Sequence, residues 1–336
     1  MSQVAREGDF IETESGLIFD VKGFMHPPGH IIAFLRYYPD TSGSRTRHGL
    51  RYRKVYSLKA RYDLLREKYP DLLRYDSVFD RTFSEIPIFK IKLYHRPAVY
   101  LSHLLERNDL DPVEQDAVSF ANLLITEAKV PPNDLGITGS VLVQLHESDS
   151  DIDLICYGSA ASRRVYSALH TLIKARRGSL APYDEPGLRK LFSFRRKDTK
   201  MSYADFARVE ERKILQGTYR GRDYYLRLLK DWSEITEVYG DLIYRPSGRA
   251  TITAVISDDS ENIFTPCRYL TENVKTVSGD IFSIKQIISY RGRFCEQARK
   301  GESIMAAGEI ELVEGRLGSY YQLVLGNRKQ DFLKVI

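Results

Sequence analysis

Hydrophobic and polar positions change their rhythm twice along the chain. In the first hundred residues, short β-branched and aromatic runs alternate with turns, and Phe10–Thr13, Leu17–Phe24 and Ile31–Tyr38 read as strands. His26-Pro27-Pro28-Gly29 makes the turn between the last two. A polar stretch over Asp40–Gly49 reads as an exposed loop, and Tyr52–Leu58 as another strand. A helix is predicted from Lys59 to Lys68, stopping at Tyr69-Pro70 because the residue before proline disfavours the helical region.

The rhythm then becomes helical. Asp111-Pro112-Val113-Glu114 offers an N-cap aspartate, proline at the first helical position and a glutamate able to reach back. Val113, Ala117, Ala121, Leu124, Ile125 and Ala128 recur at helical spacing, and Pro131-Pro132 closes the segment. Next come a strand over Leu135–Thr138, a Gly-Ser turn, a short helical stretch and a strand over Ile152–Tyr157. Helices over Ser162–Arg176 and Ser202–Lys213 and a strand over Gly221–Leu228 complete a mixed region with a small sheet. From Arg249 onward five β-like runs return: Thr251–Ile256, Cys267–Val274, Ile284–Ser289, Ile304–Val313 and Tyr320–Leu325. Their spacing fits a small barrel or sandwich of OB-like size. The expected organisation is an N-terminal α+β domain (1–108), a central domain (109–232) and a C-terminal β-rich domain (233–336).

Composition narrows the class without naming a function. The 336 residues are 43% apolar and 28% charged, an ordinary globular balance. No apolar run approaches the roughly 20 residues needed to span a bilayer, and the polar N-terminal MSQVAREGDFIETESG does not read as a secretory signal. Cys156, Cys267 and Cys295 are widely spaced with no CxxC pair. That argues against a disulfide framework or a cysteine zinc site, and predicts reduced thiols and a cytoplasmic location.

The formal charge of +5 is unevenly spread. Residues 36–68 hold ten Lys/Arg against three Asp/Glu, and residues 189–230 hold thirteen against five. Two basic zones suit a polyanionic partner such as a nucleotide or nucleic acid; the plainer alternative is solvated surface charge.

The chemistry concentrates in GITGSVLVQLHESDSDIDLICYG, residues 136–158. A strand ends at Thr138 and the chain turns through Gly139-Ser140, where glycine lets backbone approach a phosphate closely. Eleven residues after Ser140 come Asp151-Ile152-Asp153, running into an apolar strand. Residues two apart on a strand face one side, so both carboxylates project together. Two such charges are unfavourable unless a cation lies between them, and hard oxygen ligands suit Mg²⁺ or Mn²⁺. Asp149 belongs to the preceding turn.

Gly139-Ser140 followed by Asp151-x-Asp153 resembles the signature of the DNA polymerase β-like nucleotidyltransferases. SDSDIDLICYG is particularly similar to their minimal and archaeal members. The resemblance covers roughly residues 110–230. It implies a polymerase β-like core, with Gly139 and Ser140 on the β/γ phosphates of an NTP, in the simplest case ATP. It also implies metal held by Asp151, Asp153 and a third carboxylate on a later strand. Arg222–Leu228 places Asp223, Tyr225 and Arg227 on one face, which makes Asp223 the third metal-ligand and catalytic candidate. Aligning the strand on its apolar-Arg-Leu ending puts the carboxylate position at Tyr225, with Asp223 one repeat earlier. Asp205, in a helical stretch, is a weaker candidate.

The implied reaction is transfer of NMP from an NTP to a hydroxyl acceptor, with RNA or DNA favoured by the basic zones. Rival readings are a transferase acting on a protein or small molecule, and a non-catalytic nucleic-acid-binding protein that has lost the third carboxylate. Arg163 and Arg164 could contact phosphate or line an exposed helix face. Two stretches mix cations with aromatics in a way that suits single-stranded nucleic acid. One is Arg189, Lys190, Arg195, Arg196 and Lys197 with Phe192 and Phe194; the other is Arg45, Arg47, Arg51, Arg53 and Lys54 with Tyr52. For the first, a loop with its phenylalanines in a core is an equal alternative. The seven histidines show no metal-ligand spacing, and neither Gly-x-Gly-x-x-Gly nor a P-loop is present.

Overall fold

A computed structural model describes residues 5–197, 199–280 and 282–336; the first four residues of the polar N-terminal segment lie outside it. The early strands form where the apolar runs predict them, as β1 (Phe10–Thr13), β2 (Ile18–Val21) and β3 (His30–Pro39). β4 (Arg45–Arg47) and β5 (Leu50–Lys54) follow. The strand expected through Leu58 stops at Lys54 because the Ser57 hydroxyl caps the next helix, accepting from the Ala60 N–H at 3.1 Å. That helix is α1 (Leu58–Lys68), and β6 (Leu73–Asp76), β7 (Arg81–Pro87) and β8 (Ile91–His95) come after it. All eight strands belong to one antiparallel sheet, ordered β4-β5-β3-β2-β1-β8, with β7 paired to both β3 and β6. Ile11, Leu17, Phe19, Ile31, Leu35 and Leu65 are among the side chains of its core.

The central region opens with α2 (Pro97–Glu106), a helix that the apolar pattern did not signal, and α3 (Pro112–Ala128). α3 starts on the capping box read from the sequence: Asp111 accepts from the Val113 and Glu114 N–H groups, and Glu114 accepts from the Asp111 N–H. Then come β9 (Leu135–Ile137), the single turn α4 (Gly139–Leu142), β10 (Ile152–Tyr157), α5 (Ser159–Lys174) and β11 (Leu180–Ala181). α6 (Glu185–Arg195) and α7 (Tyr203–Glu210) lead into β12 (Gln216–Tyr219) and β13 (Arg222–Leu229). The sheet order is β11-β12-β13-β10-β9, with β10 parallel to β13 and antiparallel to β9. Ile152, Leu154, Cys156, Tyr224, Leu226 and Leu228 alternate into the core. On α3, Phe120 stacks on Tyr219 and meets Tyr224 edge-on, each at 4.8 Å between ring centres.

The last third is β14 (Leu242–Glu261), β15 (Cys267–Gly279), β16 (Ile284–Ser289), β17 (Ser303–Gly315), β18 (Gly318–Val324) and β19 (Phe332–Val335). Pairing runs β14-β15-β16-β18-β17 and closes through β14–β17, so five strands form a ring, with β19 added beside β17. β16 and β18 are parallel and the other pairs antiparallel.

The chain is thus mixed α+β, with several sheets. It divides into two compact units. The first comprises residues 1–77, 81–180 and 218–239, so residues on both sides of position 108 belong to it. The second comprises 78–80, 181–217 and 240–336.

Candidate functional site

β10 and β13 run side by side with Ile152 opposite Tyr224 and Asp153 opposite Tyr225. Because strand residues two apart share a face, Asp153 lies on one face with Tyr225 and Arg227, and Asp223 stands on that face at the start of β13. Asp151 immediately precedes the strand and is exposed, whereas Asp153 and Asp223 are half-buried. Further along the same face Ile155, Tyr157 and Leu229 pack with Phe24 and Ala98. The face is therefore apolar at one end and carboxylate-rich at the other.

Gly139 approaches Asp153 so closely that a Cβ there would overlap the Asp153 carboxylate, and its φ of +69° is in the left-handed region. The turn is fastened to β10 by the Thr138 N–H, which donates to the Asp153 carbonyl at 2.9 Å. Ser140 is only 3% exposed, and its carbonyl accepts from the Leu145 N–H at 2.9 Å.

The N-terminal sheet covers this turn. Leu142, Val143 and Leu145 share a buried cluster with Phe10, Ile18, Tyr37 and Tyr52. Arg45 donates to the Leu145 carbonyl and pairs with Glu147 at 3.0 Å; Arg47 donates to the Val143 carbonyl at 3.2 Å and pairs with Glu12 at 2.6 Å. Arg222 donates to the Ser148 and Ser150 carbonyls at 2.8 and 2.9 Å, holding the turn that delivers Asp151. Arg45 and Arg47, expected among phosphate ligands, instead hold backbone, and Arg53 pairs with Asp40 at 2.8 Å.

Lys54 of that basic stretch is half-buried. It is the cross-strand partner of Tyr37, with its Nζ 6.0 Å from the Tyr37 ring. Burial, reinforced by Arg36 and Arg45, lowers the Lys54 pKa to about 8, while Asp151 and Asp153 act in the opposite sense. Burial first and Asp151 second push Asp153 up to about 7, against the pull of Arg227, Lys54 and Arg36. Arg227 pairs with Glu7 at 2.6 Å. Arg36 escaped the sequence reading; the signal would have been its place beside Tyr37, on the strand that pairs with Lys54.

Other candidates fall elsewhere. Asp205 lies on α7 in the second unit, paired with Lys334 at 3.4 Å. Arg163 and Arg164 are exposed on α5. The stretch around Phe192 is helix α6, capped by Asp184, rather than a loop; Phe192 packs on Tyr203 and Phe206, Arg195 pairs with Glu210 at 2.9 Å, and Phe194 is 60% exposed. Among the described residues, three ligand atoms come within 4.8 Å of one another at Asp111, Glu114 and His146 and not at the three predicted aspartates. In the first trio the carboxylates already serve protein groups: Asp111 caps α3 and meets His146 at 2.6 Å, and Glu114 accepts from Arg107 at 3.1 Å.

Compared along its length, the chain is 30% identical to the uncharacterized protein MJ1086 of Methanocaldococcus jannaschii, over 98% of this chain and 97% of that one. The chain belongs to the MJ1086 family. No family model and no solved structure matches the chain.

Proposed function

We propose that this chain is a metal-dependent nucleotidyltransferase with a polymerase β-like core, moving NMP from an NTP to a hydroxyl acceptor. The observation that carries the reading is the pairing of Asp151 and Asp153 beside the Gly139 turn, with Asp223 on the same sheet face. The donor set fits a hard divalent cation: carboxylate oxygens, one of them destabilised as an anion by burial and then by its neighbour Asp151. Mg²⁺ or Mn²⁺ held there would supply charge neutralisation for the triphosphate and lower the pKa of the acceptor hydroxyl. Asp151 and Asp153 would hold it, with Asp223 the third ligand. The backbone at Gly139-Ser140 would bind the β/γ phosphates, with ATP the simplest nucleotide. Lys54 and Arg36, on the covering sheet, add positive charge that acts on Asp153. The chain's own contribution is then positioning and electrostatic complementarity rather than covalent chemistry.

The closed ring of five C-terminal strands supports the OB-like reading of that region, and the buried, unpaired thiols suit a cytoplasmic setting. A second reading, a non-catalytic nucleic-acid-binding protein with this core, draws support from one observation: Tyr225, not an acid, lies opposite Asp153. Calorimetry with ATP separates the two. The transferase reading expects ATP binding that requires Mg²⁺ and disappears in Asp151→Asn/Asp153→Asn; binding indifferent to both the metal and the substitutions would overturn it.

A further inference from the structure

A groove of about 430 Å³ lies between the end of β5 and the start of α1, lined by Tyr38, Arg53, Lys54, Tyr56, Ser57 and Leu64 among others. Its volume is in the range of small-ligand sites and suits a nucleotide-sized guest. Three observations give it a chemical character. Tyr56 is 61% exposed, an aromatic face left to solvent where an apolar core lies close by. The Lys54 Nζ is 5.1 Å from the Tyr56 ring and 6.0 Å from the Tyr37 ring, so one cation stands between the two rings. Arg53 lines the groove, half-exposed and bound to Asp40 and Ser42, within the chain's basic zone of residues 36–68.

We propose that this groove binds the end of a single-stranded nucleic acid, with a base stacked on Tyr56 and the backbone phosphates against Arg53 and Lys54. An exposed ring flanked by cations is the arrangement that single strands require, because every base has a π-face and every linkage a charge. That the bound strand is the acceptor rests on the nucleotidyl-transfer reading, whereas binding in the groove does not.

The test is fluorescence anisotropy of a labelled 12-nucleotide RNA with the full chain, without NTP or metal, across a salt series. Tyr56→Ala is expected to weaken binding roughly five- to a hundredfold, the span of one lost stacking contact. Tyr56→Phe is expected to retain it, since the ring and not the hydroxyl carries the contact. Arg53→Ala is expected to flatten the salt dependence by roughly 0.7 in log–log slope, as for one phosphate on a single strand. Magnesium-dependent ATP binding is expected to be unchanged in all three, which also checks that they fold. No RNA binding by the unaltered chain, or equal binding by Tyr56→Ala, overturns the proposal. ATP binding alongside absent RNA binding sinks the groove and leaves the transferase reading standing; Tyr56-dependent RNA binding without ATP binding does the reverse.

Discussion

The Asp153 carboxylate lies directly against the α-carbon of Gly139, leaving no room for a side chain on that turn. Gly139 thus does two things at once. It takes a positive φ that L side chains rarely adopt, and it lets the turn close over an acid whose charge the site must tolerate.

From this follows the effect of a single methyl group. Gly139→Ala must either push Asp153 aside or open the turn, and is expected to destabilise the chain by more than about 1 kcal/mol. A larger loss is expected in function: magnesium-dependent ATP binding should fall even where a melting curve shows the variant folded. A variant with unchanged stability and unchanged binding would contradict the close approach.

Arg222 holds the turn before Asp151 through two backbone carbonyls and pairs with Asp116 at 3.1 Å. Arg222→Ala leaves those carbonyls without their donor and frees the turn. Amide exchange over residues 147–151 is expected to accelerate, while exchange in α3 and α5 stays as it was. Uniform acceleration across all three would mean a global loss of stability instead.

Glu85 supplies a pH dependence away from the site. It is buried, and burial first and Asp76 second push its carboxyl up to about 7 from 4.5, against Arg74. A raised folded-state value means stability that is fully present below pH 4.5 and lost as pH rises towards about 7. Urea unfolding of the unaltered chain and Glu85→Gln is expected to show a stability difference that shifts in favour of Glu85→Gln across that window. A difference constant from pH 4 to pH 8 would rule the mechanism out.

Asp111, Glu114 and His146 are close enough to hold an ion, yet Asp111 and Glu114 already form the α3 capping box and His146 meets Asp111. Asp111→Ala is expected to cost about 0.5–2 kcal/mol, the worth of an N-cap, and to leave the metal requirement for ATP binding untouched. A changed metal requirement would move the metal centre to this trio.

Much of this was readable in the chain because the signals were local. Phe10–Thr13, Ile152–Tyr157 and Ile284–Ser289 are strands to the residue, and the Asp111 capping box is written in four consecutive letters. The alternation of Asp151 and Asp153 gave their shared face as well. What the sequence hid is long-range. That Lys54 pairs with Tyr37 depends on the register of β3 against β5, and that Arg45 and Arg47 spend their charge on carbonyls a hundred residues away depends on how the sheet packs. α6 was hidden for another reason: a charged, aromatic-rich stretch with one fully buried side chain, Leu188, has little apolar periodicity to show. β14 runs well beyond its apolar run because both its neighbours pair with it over polar residues too.

The most direct measurement is transfer of label from each α-³²P NTP, with Mg²⁺ or Mn²⁺, into pooled RNA, DNA and protein. The unaltered chain is compared with Asp151→Ala/Asp153→Ala. The expected result is label in the nucleic-acid fraction that vanishes in the double variant. Label that persists in the double variant, or none from a chain that binds neither ATP nor metal, would contradict the assignment of Asp151 and Asp153 as the centre of a nucleotidyl-transfer site.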